Sequence, residues 1–395
     1  MAATVSTLSC GAPGHSSDDR VVVTDSAGIT IITSSAPADA DGWRVEPEPM
    51  LSIGVVDGPA EYQLFRVTDA MRLPDGRIVL VNGGTRDVRI YGADGVHTRT
   101  IGGPGRGPEE YSYPTGLLPT DTGFIVLDRM DQVHYDAAGD YLGRTTFDQR
   151  RFAELMATIG RSEGGGVLRD GSVLAPLYEP GPEPKAGPPF RPAITVVRAD
   201  PESGVVDTLA HIGGTLQQYV DVGGRPSPNI PPFAPSGRWG AADDGAILIY
   251  DGALPQVQRY ERDGTHRIIR WQAEPEPVTA QELDELKAWA REVYGEQGGF
   301  REVELAWAVM DMPSTKPYVE GVRPTADGGT WVRVTAHDFA GTAEWQTFDG
   351  SGVWTATVTL PATFSPLDIG SDYVLGIYRD PELQVETLRV HRVSR

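Results

Sequence analysis

The chain has 395 residues, 39% hydrophobic and 8% aromatic, which is enough for two or three ordinary domains or one large all-β unit and too apolar for default disorder. Its formal charge of −21, from 34 Lys and Arg against 55 Asp and Glu, repels phosphate backbones and anionic headgroups, so nucleic acid is not among its expected partners. The 47 glycines and 32 prolines favour many turns over long helices.

Residues 1–20 read as a disordered tail or the remnant of an export signal. The single cysteine, Cys10, forbids an intrachain disulfide. Its setting, Thr7-Leu8-Ser9-Cys10-Gly11, resembles the lipid-attachment site of bacterial lipoproteins. MAATVSTLS nevertheless lacks a basic start and is shorter than a working apolar region. If Cys10 is processed, the protein belongs to the cell envelope, periplasmic or extracellular and lipid-anchored; if not, it is cytoplasmic. No segment approaches the ~18 apolar residues of a membrane helix. Residues 21–34, VVVTDSAGITIITS, are two β-branched runs around Ala27-Gly28 and stand outside everything that follows.

From residue 73 the chain repeats itself. LPDGRIVLVNGGTRDVRIYGADGVHTRTIGG (73–103) is turn, strand, loop, strand, turn, strand. LPTDTGFIVLDRMDQVHYDAAGDYLGRTTF (118–147) has the same order. Weaker or clearer copies start at 168, 242, 326 and 370, and the last ends one strand early. The turn glycines Gly76, Gly123 and Gly171 are 47 and 48 residues apart. A period of ~45 residues with about four short strands is a propeller blade. The expected fold is all-β: one six-bladed β-propeller over 21–395, with an N-terminal strand, drawn from 21–34, closing the last blade. One helical insertion is expected at about 278–312, between blades four and five. TAQELDELKAWAREVY (279–294) opens with a capping box, Thr279-x-x-Glu282, and places Leu283, Leu286, Trp289 and Val293 at helical spacing. A second helix is expected through 300–310.

The glycine-rich run IGGPGRGPEEYSYPTG (101–116) invites a phosphate-loop reading. Pro104 and Pro108 remove N–H donors, and no helix-opening Lys-Ser/Thr follows. It reads instead as the crossover from the outer strand of one blade to the inner strand of the next.

On these residues the chain resembles the bacterial six-bladed β-propeller proteins that are distantly similar to NHL-repeat proteins, many of them predicted lipoproteins and mostly uncharacterised. The segments that carry the likeness are VTDSAGITIITSSAP, WRVEPEPMLSIG (43–54), the crossover, and DYVLGIYRDPELQVETLRVHR at the end. In the crossover, Glu109-Glu110-Tyr111 stands where the family tends to show Gly-Glu-Phe. The resemblance implies the fold and leaves the function open.

No His-Glu-x-x-His, cysteine pair, P-loop or Gly-x-Ser-x-Gly occurs. The seven histidines are scattered; His97, His211 and His391 read as surface strand positions. Candidate ligand residues at the channel mouth are Asn82, Asp128, Asp251, His337 and Arg379. Asn82, Asp128 and Asp251 end the equivalent apolar strands RIVLVN, FIVLD and AILIYD, so they are expected to converge on the ring axis, where their oxygens would suit Ca²⁺. Turn capping is the competing role for all three. The expected function is an exported binding or scaffold ring, monomeric and without chemistry of its own, for a protein, peptide or saccharide. The alternative is a divalent-metal-dependent hydrolase or lyase of the lactonase or amidating-lyase propeller type.

Overall fold

The computed structural model describes residues 20–38, 43–159, 166–242, 245–295, 300–334 and 341–394. Cys10 and His337 lie outside these. The chain is a six-bladed β-propeller, six sheets in chain order around one axis, each with its blade strands antiparallel. Blade one is Val67–Arg72, Ile78–Asn82, Asp87–Tyr91 and His97–Ile101; blade two is Pro114–Pro119, Gly123–Asp128, Asp131–Asp136 and Tyr141–Thr145. Blade three is Gly166–Val167, Val173–Tyr178, Ala193–Ala199 and Val206–Gly213. Blade four is Arg238–Ala241, Ile247–Tyr250, Gln256–Tyr260 and His266–Trp271, and blade five is Gly321–Pro324, Thr330–Val334, Thr342–Phe348 and Trp354–Pro361. Blade six takes Phe364–Ile369, Tyr373–Arg379 and Glu386–Ser394 from the end of the chain.

Each blade's first strand lines the axis and touches its counterpart in the next blade, as at one–two, five–six and six–one. Second strands such as Ile78–Asn82 and Ile247–Tyr250 are buried at every residue, because both faces of a blade are covered by neighbours. The core is therefore a series of apolar seams between blades. Val79, Val88, Phe124 and Tyr135 fill the seam from one to two, and Ile53, Leu80, Leu375 and Leu388 that from six to one.

An N-terminal strand does close blade six, but it is not drawn from 21–34. Leu51–Ile53 pairs with Glu386–Ser394 (Leu388 with Ile53, Val390 with Leu51), and Arg44–Val45 extends it beyond Pro47 and Pro49. Those two prolines have no N–H to give and split the strand. Residues 44–53 lie next in sequence to blade one, so they reach the slot through a shorter loop than 21–34 could. Ile29–Ser34 instead lies parallel to His266–Trp271 as a fifth strand of blade four, with Val21–Ser26 as a sixth. The segment between them runs past blade five: Ala38 N–H donates to the Trp354 carbonyl at 2.8 Å, and Trp43 meets Trp331 edge-on at 6.1 Å.

The helical insertion is two helices, α2 (Ala280–Gly295) and α3 (Phe300–Trp307), after blade four. The capping box forms as read: Glu282 Oε2 accepts from Thr279 N–H at 2.9 Å, and Thr279 Oγ1 accepts from Glu282 N–H at 3.2 Å. Two further insertions escaped the sequence reading. Helix α1 (Gln149–Ile159) follows blade two, capped by Asp148, whose Oδ1 accepts from Arg150 and Arg151 N–H at 3.1 and 3.0 Å. A hairpin, Gln218–Asp221 with Pro226–Asn229, follows blade three. All three insertions leave from outer strands, so they crowd the crossover end of the ring. Gly123 is no turn glycine. It opens a strand, and a side chain there would strike the Tyr135 carbonyl at 2.1 Å.

Candidate ligand site at the channel mouth

The crossover 101–116 is a locked loop. Gly105 N–H donates to the Tyr111 carbonyl at 3.1 Å, while Arg106 and Gly107 N–H both donate to Glu110 Oε2 at 2.8 Å. These donors are spent inside the loop, so no phosphate cradle exists. Tyr111 is wholly buried in the seam between blades one and two, its hydroxyl 2.8 Å from that of Tyr135, and Gly102 must lack a side chain to pass its ring. In the Glu110-Tyr111 pair the acid thus caps the loop and the ring anchors it.

Asn82, Asp128 and Asp251 prove to be clasps on such crossovers. Asn82 accepts from Phe65 N–H at 2.8 Å and donates to Thr85 Oγ1 at 2.7 Å. Asp128 accepts from Ser112 and Tyr113 N–H at 3.0 and 2.6 Å and from Arg144 Nη2 at 2.5 Å. Asp251 accepts from Gly213 N–H at 2.7 Å and Arg191 Nη1 at 2.6 Å. Arg379 belongs to a fourth clasp: it donates to Glu386 Oε1 at 2.7 Å, while Glu386 Oε2 accepts from Val67 N–H at 2.8 Å and ties blade six to blade one. Among the described residues no three His, Cys, Asp or Glu side chains form a group that could hold a metal. His391 is buried rather than exposed, its Nδ1 donating to the Glu46 carbonyl at 2.8 Å.

The residues that shape the channel lie on the first strands. On blades one, two and six these strands carry a β-bulge, at Thr68, Thr115 and Leu367. Past the bulge, Asp69 Oδ2 accepts from Leu117 N–H of blade two at 2.8 Å. At the matching place Asp368 accepts from Arg72 N–H of blade one at 2.7 Å and from Tyr373 hydroxyl at 2.9 Å. Blade two has Gly116 there, and a side chain would come within 3.3 Å of the Asp69 carboxylate. Burial pushes the Asp69 carboxyl up to about 6, against the N–H bonds from Leu117 and Ala70 and the charge of Arg323. Burial also raises Asp368.

Blades four and five have no bulge on the first strand, and arginines take the place of aspartates. Between them and blade six opens a cavity of about 410 Å³, lined by Arg238, Trp239 and Gly240 of blade four, Arg323 and Arg333 of blade five, and Phe364 of blade six, among others. Arg333 is paired with Glu320, Nε to Oε2 at 3.8 Å. Arg323 Nε donates to the Pro366 carbonyl at 2.9 Å, which fixes its head against blade six. Among the described residues, Arg238 donates to the Gly237 carbonyl at 3.2 Å and to Thr215 Oγ1 at 3.4 Å. Tyr250, Trp345 and Phe364 supply apolar faces to the same space. None of these was singled out from the sequence; an arginine recurring in the short segments before successive turns (RWGA, GVRP) was the available signal.

Residues 61–158 match a family model described as a 6-bladed beta-propeller. No curated protein matches the chain. Among solved structures, a candidate exported protein from Bacteroides fragilis aligns over 92% of this chain and 100% of its own, at 12% identity and a TM-score of 0.47. Virginiamycin B lyase from Staphylococcus aureus aligns over 83% and 94%, at 8% identity and a TM-score of 0.35. Regucalcin, a calcium-binding protein from Agrobacterium tumefaciens, aligns over 85% and 92%, at 13% identity and a TM-score of 0.35. Alignments this loose assign no activity.

Proposed function

We propose that the protein is a binding ring without chemistry of its own, taking its ligand at the channel mouth between blades four, five and six. One observation carries this reading: the axis is stitched shut by aspartates on one side and opens on the other into a cavity of about 410 Å³. That size falls within the ~300–1,000 Å³ of small-molecule sites, and the lining has their usual make-up of aromatic faces with a few placed polar groups. The lining contains no histidine or cysteine, and its carboxylate, Glu320, is engaged by Arg333.

Gly240 offers the test. A side chain built there meets nothing within 4 Å, so Gly240→Phe should fold and fill the cavity. A thermal-shift screen of small organic compounds should give stabilising ligands whose effect disappears in Gly240→Phe. Ligands that stabilise both proteins equally would put the site elsewhere. Residence in the cell envelope, with Cys10 as lipid-attachment residue, is proposed on the sequence around Cys10; labelled palmitate should enter the wild type and not Cys10→Ser, and no labelling of either removes the anchor.

A further inference from the structure

The cavity's chemistry narrows the ligand class, and this step rests on the binding reading above. The chain carries 55 acidic against 34 basic side chains, so a random surface site should be acidic. The channel mouth is the reverse. Arg238, Arg323 and Arg333 face one acid, Glu320, which Arg333 engages. Arg323 shares its charge with Asp69 of blade one, since it lies close enough to oppose the rise in that carboxyl's pKa. Arg238, on the neighbouring blade, has no acidic partner among the described residues. What remains is about one uncompensated positive charge, presented by two guanidinium groups from different strands.

Guanidinium groups only donate hydrogen bonds, and a planar carboxylate matches their geometry. The rest of the wall argues against a free inorganic anion, because Trp239, Trp345, Leu248 and Phe364 line the same space and a small hydrated ion would leave them wet. Nor does a nest of backbone N–H groups or a helix start, the usual phosphate holders, border the cavity.

We infer that the channel mouth takes an amphipathic carboxylate, its carboxyl group between Arg238 and Arg323 and its apolar body against the aromatic and aliphatic wall of blades four to six. The anion also neutralises the excess positive charge that the channel mouth carries on an otherwise acidic molecule.

The test uses the intact protein and matched pairs: phenylacetate, 4-phenylbutyrate and octanoate against their primary amides, with inorganic phosphate alongside, read by titration calorimetry. At least one acid should bind saturably and at least tenfold more tightly than its amide. Arg238→Ala and Arg323→Ala should each erase most of that preference, and Arg238→Lys should keep part of it. Circular dichroism and the melting temperature show whether each variant is folded. Gly240→Phe should abolish binding of acid and amide alike. Amides that bind as well as acids, with both lost in Gly240→Phe, overturn the carboxylate assignment and leave the binding site in place. Phosphate binding as tightly as the best acid overturns the amphipathic part, and so does the absence of binding by every acid. Acid binding untouched by Gly240→Phe overturns the site itself.

Discussion

Blades six, one and two line the axis with bulged first strands, and blades four and five line it with straight ones. A bulge adds one residue and turns the next side chain. On blades one and six that side chain is aspartate, which accepts the neighbouring strand's N–H and draws the two strands together. On blade five the straight strand presents Arg323, which bridges to blade six by donating. Both devices reach the next blade. The difference lies in what is left over: an aspartate spends its acceptors on the wall, whereas the guanidinium keeps donors facing the cavity. One side of the ring is thus built for closure and the other for occupancy, and the three crossover insertions stand over the blades from two to five.

The sharpest way to break this contrast is Asp128→Ala on the closed side. It removes the acceptor of two loop N–H groups and one of the two carboxylates that hold Arg144, Asp131 being the other, so urea unfolding should show a loss of about 3 kcal/mol. The loss should be the same in Ca²⁺ and in chelator; a loss confined to Ca²⁺-containing buffer would return a cation to this position. Next in size is the acid response of Asp69. Its carboxyl titrates near 6 when folded against 3.8 as a free side chain, so the folded state binds an extra proton between those values. Its contribution to stability therefore rises as pH falls from about 7 to 4, and Asp368 acts in the same direction. Asp69→Asn should remove about 2 kcal/mol of this pH dependence; an unchanged stability–pH curve would mean that the carboxyl is not held as described.

Tyr111→Phe deletes only the hydroxyl bond to Tyr135 and should cost about 1 kcal/mol, with the crossover still resistant to protease. Ready cleavage at 103–110 would show that the ring alone does not anchor the loop. The smallest effect belongs to the insertion. Burial raises the Glu282 carboxyl, but bonds from Lys316 and Thr279 outweigh it and hold it at about 2. Stability from this group is complete above its free value of 4.5 and is lost as pH falls through 2. Glu282→Gln should cost about 0.5 kcal/mol at neutral pH and flatten the acid limb below 4.5. Losses above about 2 kcal/mol would mean that the helices support the ring rather than sit on it.

The blades were legible because their second strands are continuous apolar runs between turns: RIVLVN, FIVLD and AILIYD need no partner to be recognised. The first strands were not. VTDAMR, PTGLLP, RWGA and GVRP mix charge, glycine and proline, since they face a channel rather than a core, and units drawn from turn to turn begin just after them. The candidate site lay in that blind strip. Asn82, Asp128 and Asp251 were correctly seen as equivalent strand ends, yet clasp and metal ligand use the same residue types at the same spacing. Their job is decided by backbone N–H groups 15 to 38 residues away, which no local pattern contains. Leu51–Ile53, at three residues, was too short to compete in sequence with the β-branched run 21–34 for the closing role.

The strap from 21 to 53 has a consequence for how the molecule comes into being. Its partners, His266–Trp271 in blade four and Glu386–Ser394 in blade six, leave the ribosome over 200 and over 300 residues after it. At about 5–20 residues per second that is a wait of about 10 s or longer, with Val21–Ser26 and Ile29–Ser34 offering two unpaired, β-branched edges to any strand nearby. Blades one to three can stack during that interval. The side that holds the cavity cannot be fastened from outside until blades four and six have both emerged, so this protein is most vulnerable to aggregation before blade six exists.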